Sequence, residues 1–119
     1  MIRLGVAALL AAVAPAAAQD GAALFQAHCA SCHAMERAAA AGAGPNLGGV
    51  GGRPVAGDTA YDYSPALRQG RAVGDRWDEA RLARFLVDPD EMYPGLWMSA
   101  VALRDPAEIA AIARYLAER

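Results

Sequence analysis

The chain has 119 residues, which is room for one domain around a single core. Its 11 basic residues are all arginines, and with 13 acidic residues they give a formal net charge of −2. This balance excludes nucleic-acid binding through a concentrated basic surface and leaves docking to another protein open.

The first 18 residues have the three parts of a secretory signal peptide. Arg3 supplies the positive charge, Leu4 to Ala14 form the apolar stretch, and Pro15 to Ala18 supply small residues before a cleavage site. An uncleaved membrane anchor is the alternative, but residues 4–18 are short for a span of about 20 residues and consist mostly of weakly hydrophobic alanine. We predict cleavage after Ala18 and a periplasmic domain over residues 19–119.

The mature chain opens with a helix and continues into a loop. Asp20 is a good N-cap, because its carboxylate can accept the free N–H groups of the first turn, so a helix is predicted from Gly21 to the cysteine at position 29. Seven glycines and two prolines lie in residues 42–57, which is loop composition. Such a loop can wrap closely around a flat ligand.

Two helices are predicted in the middle of the chain. The first begins at Pro65 after Ser64 and ends at Gly70. The second covers residues 79–88, with Asp78 before it and Pro89 after it.

A loop is predicted from Pro89 to about Leu103, followed by a last helix. Asp105, Pro106 and Glu108 have the pattern of a capping box. Apolar residues then recur at helical spacing, at Ile109, Ile112, Ala113 and Leu116. No segment alternates long enough to make a strand, so the predicted fold is all-α with long loops.

The two cysteines of the chain lie three positions apart, and His33 follows directly after the second. In this order Cys29 and Cys32 can each add to one vinyl group of a haem, while His33 places its imidazole under the iron. A zinc site would need four ligands, and His28 is the only further Cys or His in the chain. A redox-active dithiol would need a strand–helix–strand frame, which the pattern does not show. The sequence therefore predicts one covalently attached haem.

The residue on the other side of the iron separates electron transfer from ligand binding. His28 and Met35 are too close to the attachment motif to reach the opposite face of the ring. Met92 directly follows a helix end and is interpreted as core filling, as is Met35. Met98 follows a Pro-Gly pair in a loop long enough to cover the far face, and it is the predicted second ligand.

The chain resembles the class I cytochromes c of the mitochondrial and bacterial type over nearly all of residues 20–119. The resemblance implies three to five helices wrapped around one haem whose edge alone meets solvent. Gly21 and Phe25 in the first helix would cross Ile112 and Tyr115 in the last. The motifs that carry the resemblance are Cys29 to His33, Gly44 to Leu47, Gly52 and Arg53, Tyr61 to Ser64, Trp77, and Pro94 and Gly95 with Met98.

The resemblance also implies roles for single residues. His33 and Met98 would be the axial ligands, and the carbonyl of Pro45 would accept a hydrogen bond from His33. The haem propionates would be contacted by Arg53, Tyr63 and Trp77. Without the resemblance, the two aromatic residues could simply pack in the core and the arginine could be a solvated turn residue.

The chain departs from this family around the exposed haem edge. Mitochondrial relatives carry lysines there, whereas the matching positions here are His28, Asp90, Glu91 and Trp97, and only Arg104 keeps a positive charge. We expect the partner to dock on an apolar patch that includes Trp97, with weak or reversed electrostatic steering. The alternative is that Trp97 folds back over the haem as packing.

These features predict a monohaem c-type cytochrome that carries single electrons between periplasmic or membrane redox proteins, is a monomer in isolation and is not an enzyme. One alternative is a dedicated cytochrome subunit of a periplasmic dehydrogenase or oxidase complex. The other is a ligand-binding or peroxide-processing haem protein, which would need an open or easily displaced axial position.

Overall fold

The computed structural model describes residues 1–9, 20–98, 101 and 103–119. The predicted cleavage site after Ala18 lies outside the described residues. Within them the regular structure is helical, with one isolated antiparallel bridge between Pro54 and Arg76 and no named strand, which confirms the all-α prediction. The helices are α1 (Gly21–His28), α2 (Pro65–Ala72), α3 (Glu79–Val87), α4 (Pro89–Met92) and α5 (Pro106–Glu118). In the described part of the chain, no helix is both long and apolar enough to cross a membrane.

Aspartate side chains begin three of the helices where the sequence predicts. Asp20 accepts a hydrogen bond from the Ala23 amide at 3.2 Å, and Asp78 accepts one from the Arg81 amide at 2.7 Å. Asp105 accepts one from the amide of the second residue of α5 at 2.9 Å. Each bond satisfies an N–H group that has no partner inside its helix.

The prediction that Gly70 ends α2 is wrong, since the helix continues to Ala72. Gly70 is buried inside the helix, where an added Cβ would lie 2.8 Å from Cε1 of Tyr93. The glycine therefore permits a close approach, and the turn that follows the helix uses Gly74, at φ +85°.

The predicted loop from Pro89 to Leu103 contains a short helix, α4. α3 ends at Val87, one residue earlier than predicted. Asp88 caps α4 instead, and its carboxylate accepts a hydrogen bond from the Glu91 amide at 3.2 Å. Pro89 is the first residue of α4, where a missing N–H costs nothing. Four residues are too few for a hydrophobic period, so the pattern gave no sign of this helix.

The core forms where α5 packs against α1 and α3. Gly21 is the point of closest approach between α1 and α5, because a Cβ there would lie 2.5 Å from the carbonyl oxygen of Ala111 and 2.7 Å from Cβ of Tyr115. Phe25 and Tyr115 are in contact across this crossing, with ring centroids 5.7 Å apart. The predicted helix pair is therefore present, and it holds the end of α1 beside the cavity described below.

Candidate haem site

A cavity of about 320 Å³ lies between the end of α1, the loops after it, α3 and the loop that follows α4. This volume is in the range of pockets that hold small molecules and cofactors. The structure brings all eight predicted site residues to the wall of this one cavity: Cys29, Cys32, His33, Pro45, Arg53, Tyr63, Trp77 and Met98.

His33 is held from two sides. Its Nδ1 lies 2.8 Å from the carbonyl oxygen of Pro45, so Nδ1–H donates and Nε2 keeps its lone pair. Burial lowers the pKa of His33, and the bond to Pro45 opposes that effect only in part. Gly44 lies against the ring, where an added Cβ would be 2.5 Å from Cε1. The neutral imidazole with one free nitrogen is the form that binds metals.

The two cysteines follow α1 in a tight turn. The amides of Cys32 and His33 both donate to the carbonyl of Cys29, at 3.1 and 3.0 Å. Both thiols are free; Cys29 is half-buried and Cys32 is exposed. Burial, and secondarily Cys32, raise the pKa of the Cys29 thiol. The turn thus places two free thiols and the imidazole on one cavity wall, as attachment of a haem by thioether bonds requires.

Arg53 carries a buried donor that has no partner within the described part of the chain. Its Nη2 donates to the carbonyl of Asn46 at 2.9 Å, whereas its Nε is buried and makes no hydrogen bond with any residue that the structure describes. Such a group is costly unless an acceptor completes it. Because Arg53 lines the cavity, a carboxylate of the predicted haem fits this need.

Tyr63 and Trp77 line the cavity together with Arg53. The Tyr63 hydroxyl accepts a hydrogen bond from the Asp58 amide at 3.0 Å, which leaves its own proton free to donate. Burial is the main cause that raises the pKa of Tyr63, so this proton is retained at neutral pH. These groups form the polar part of a wall that is otherwise mostly apolar, as a haem with two carboxylates requires.

Backbone pairing between two loops places these donors next to one another. The Trp77 amide donates to the Arg53 carbonyl at 2.9 Å, and the Gly52 amide donates to the Trp77 carbonyl at 2.6 Å. The two segments are 24 residues apart in the chain and too short to show alternation. Sequence reasoning therefore missed the pairing, although it selected both side chains.

Asn46 is a second feature that sequence reasoning missed. Its buried side chain donates to the carbonyls of Glu36 and Ala39 and accepts from the Gly48 amide at 2.8 Å. It joins the two loops that carry Pro45 and the segment after His33. The sequence signal is the Asn within the Gly44 to Leu47 motif, for which the family resemblance implies no separate role.

Met98 lines the cavity beside apolar residues of α3 and its own loop, which include Leu82, Phe85 and Leu96. The chain has four methionines, all within the described residues, and Met98 is the only one of them at the cavity wall. Met35 and Met92 are partly buried and pack against the core. This placement agrees with the prediction for Met98 and with the interpretation of the other two as core filling.

Trp97 stands at the cavity mouth. It lines the cavity, yet 60% of its surface is exposed. Asp90 lies beside the same loop, because its carboxylate accepts a hydrogen bond from the Gly95 amide at 3.0 Å. His28 lines the cavity and is exposed as well. An aromatic surface and an acidic side chain therefore adjoin the opening.

Several known proteins with similar sequences are named as cytochromes c or c2. The chain is 40% identical over 91 residues to "Cytochrome c2 iso-1" of Magnetospirillum molischianum, which covers 74% of this chain and 86% of that protein. It is 35% identical over 106 residues to "Cytochrome c" of Guizotia abyssinica, covering 88% and 93%. It is 39% identical over 88 residues to "Cytochrome c homolog" of Rickettsia bellii (strain RML369-C), covering 74% of this chain and about half, 49%, of that protein.

The family model described as Cytochrome c matches residues 18–119, which include the whole cavity wall. The helical fold, the two thiols beside an imidazole and the unpaired arginine donor fit the cofactor of that family. The chain belongs to the cytochrome c family, whose members are electron carriers with one covalently bound haem c.

Proposed function

We propose that this chain is an exported monohaem cytochrome that carries single electrons, with His33 and Met98 as the two axial ligands. The observation that carries the proposal is that the imidazole of His33, which is oriented by Pro45, and the thioether of Met98, the only one among the described residues at this wall, line one cavity. Two protein ligands leave no open position for a substrate, which favours electron transfer over catalysis or gas binding.

In this proposal, the residues that line the cavity have separate roles in holding the haem. Cys29 and Cys32 hold the haem by thioether bonds. The Pro45 carbonyl orients His33 and makes it a more basic ligand, through the 2.8 Å hydrogen bond. The haem iron supplies the redox chemistry, by gaining or losing one electron.

The polar end of the cavity would receive the propionates. Arg53 would donate through Nε, the donor that the protein itself leaves unpaired. Tyr63 and Trp77 would donate through the hydroxyl and the indole N–H. Burying these carboxylates without donors would be expensive.

The ligand assignment is tested by the absorption spectrum of the oxidised holoprotein. We expect the weak near-red band of iron–methionine ligation in the wild type and in Met92→Ala, because Met92 packs against the core away from the cavity wall. The band should be lost in Met98→Ala. A wild type without this band, or a Met98→Ala variant that keeps it, would overturn the assignment.

We propose that the redox partner docks on the cavity mouth around Trp97. The exposed indole offers apolar contact. Asp90 and Glu91 nearby are exposed and acidic, so they would not steer an acidic partner to this surface as basic residues would. The rate of electron transfer to a purified partner should therefore change little with added salt. A steep fall with salt towards an acidic partner would contradict this.

The matched variants for docking are Trp97→Ala and Val73→Ala. Val73 is 64% exposed, similar to Trp97, but lies away from the cavity wall at the end of α2. We expect only Trp97→Ala to lower the second-order rate with the partner. A stable second subunit that co-purifies with the chain would identify a fixed complex and not a diffusible carrier.

We propose that residues 1–18 are a signal peptide and that the mature domain works in the periplasm. The sequence pattern supports this, and haem attachment to exported thiols agrees with it. The mass of the protein recovered from the periplasmic fraction tests it. A mature chain that begins at Gln19 is expected, whereas a chain that keeps Met1 in a membrane fraction would favour the anchor.

A further inference from the structure

The loop that carries Met98 begins at Tyr93, the residue directly after α4. The Tyr93 amide donates to the Pro89 carbonyl at 3.0 Å, and the Tyr93 carbonyl accepts from the Leu96 amide at 3.2 Å. Gly95, at φ +84°, lets the chain turn there. Tyr93 is therefore the root of a tight turn, and its position determines where the following residues reach the cavity.

The Tyr93 hydroxyl closes a network with two charged side chains. It donates to Oδ2 of Asp75 at 2.9 Å and accepts from Nη2 of Arg81 at 2.9 Å. Arg81 and Asp75 also form an ion pair directly, with Nη2 and Oδ2 2.8 Å apart. Their side chains are only 30% and 25% exposed. Three short contacts among the Tyr93 hydroxyl, Oδ2 of Asp75 and Nη2 of Arg81 hold these side chains in one geometry.

The ring of Tyr93 has little room to move. It is 7% exposed, its centroid lies 6.2 Å from those of Trp77 and Phe85, and Gly70 lies against its edge. The same network reaches the propionate end of the cavity, because the Asp75 carbonyl accepts from the Val55 amide at 2.9 Å in the loop pairing described above. One cluster thus connects the root of the Met98 loop, α3 and the segment that ends at Trp77.

We propose that Asp75, Arg81 and Tyr93 act as a positioning network that keeps the Met98 loop closed over the haem. This inference rests on the proposed function in one respect, since Met98 is the axial ligand that the network would position. None of the three residues lines the cavity, so they act through the loop and not by contact with the iron.

The expected effect follows from the charge on two of the three partners. Hydrogen bonds to charged groups contribute more than neutral ones, and removing one partner leaves a half-buried charge incompletely satisfied. We expect loss of the Tyr93 hydroxyl to increase the population with an open loop by about tenfold.

The test uses imidazole as an external ligand of the oxidised holoprotein. Imidazole binds only when Met98 has left the iron, so its apparent affinity is proportional to the population with an open loop. Tyr93→Phe and Arg81→Gln should each raise this affinity by about tenfold. Tyr115→Phe and Arg114→Gln are matched controls, because the Arg114–Glu79 pair is exposed at 3.6 Å and Tyr115 lies at the α1–α5 crossing.

Ile112→Val separates loop opening from general loss of stability. Ile112 is fully buried in α5, so this variant should unfold at lower denaturant concentration without changing the imidazole affinity. If Tyr93→Phe and Arg81→Gln bind imidazole like the wild type, or if Ile112→Val binds it as tightly as they do, the positioning role is wrong.

Amide hydrogen exchange gives a readout that does not involve the iron. The Leu96 amide should exchange about tenfold faster in Tyr93→Phe than in the wild type, while the amides inside α5 keep their rates. Unchanged exchange at Leu96 would also overturn the proposal. A wild type that lacks the near-red band would instead refute Met98 ligation, and the exchange rates would still decide whether the network holds the loop.

Discussion

Gly44→Ala is the substitution that most directly disturbs the packing around the His33 ring. An added Cβ at this position would lie 2.5 Å from Cε1, 2.8 Å from Nδ1 and 3.0 Å from Nε2 of the imidazole. Carbon atoms in contact are about 3.5 Å apart or more, so the ring or the loop has to move by about 1 Å. A shift of that size breaks the 2.8 Å hydrogen bond from His33 to Pro45.

The cost has two parts. Overpacking of this kind costs about 1–3 kcal/mol, and loss of a partly buried hydrogen bond costs about 1 kcal/mol. The free energy of unfolding of the holoprotein should therefore fall by about 2–4 kcal/mol. The reduction potential should rise as well, because an imidazole without the Pro45 bond is a less basic ligand and stabilises oxidised iron less.

Urea unfolding of the holoprotein measures the first effect, and Gly42→Ala is its matched control. A Cβ at Gly42 would meet only the Cys32 carbonyl oxygen at 3.7 Å, which is ordinary contact. The control should unfold close to the wild-type midpoint. Equal midpoints for Gly44→Ala and Gly42→Ala would refute the claim that the glycine is needed to seat His33.

Three further predictions follow from the geometry. Gly21→Ala should destabilise the holoprotein by about 1–3 kcal/mol in urea unfolding, because the new Cβ forces α1 and α5 apart, and an unchanged midpoint would show that the crossing adapts. Arg53→Gln should lower the reduction potential in a redox titration, since removal of a cation favours the more positive oxidised haem, whereas exposed Arg68→Gln should not; equal potentials would contradict the role of Arg53. Burial raises the pKa of Tyr93 above 10.0, so the folded state holds this proton more tightly than the unfolded state, and the free energy of unfolding should fall as pH rises beyond about 10. Tyr93→Phe should show a shallower fall in unfolding titrations at about pH 9 and about pH 11, and an identical slope would show that another group titrates.

Local rules were sufficient for much of this molecule. Asp20, Asp78 and Asp105 begin helices because a carboxylate before an apolar period satisfies free N–H groups within three residues. The attachment motif is also recognised from neighbouring residues alone, because two thiols and an imidazole within five residues fit few kinds of site other than a covalently attached haem. The all-α fold and the covalent haem were predicted from such short-range patterns, the family was predicted from a resemblance over residues 20–119, and all three are confirmed.

The features that sequence reasoning missed depend on contacts between distant segments. Gly70 looked like a helix end, but its use is to admit the Tyr93 ring, which lies 23 residues later. The side chain of Asn46 joins its own loop to the 36–39 segment, and the 52–55 and 75–77 segments pair mainly through backbone hydrogen bonds. No periodicity marks such contacts, because each involves a single residue whose partner is chosen by the fold.

Sequence reasoning identified the site residues but not the physical basis of each role. All eight reach one cavity, but the roles of Arg53, Tyr63 and Trp77 came from the family resemblance, and those roles stay predictions. The unpaired Nε of Arg53 is the structural feature that no sequence pattern could supply, because burial and lack of a partner are properties of the folded chain.

In the proposed function, His33 and Met98 close both faces of one haem, so the protein would exchange electrons and bind no substrate at iron. Addition of carbon monoxide to the reduced holoprotein tests this most directly, followed by absorption in the main haem band. We expect a spectrum unchanged by carbon monoxide at neutral pH. An immediate shift of that band in the wild type would show an open iron and would contradict the electron-carrier assignment.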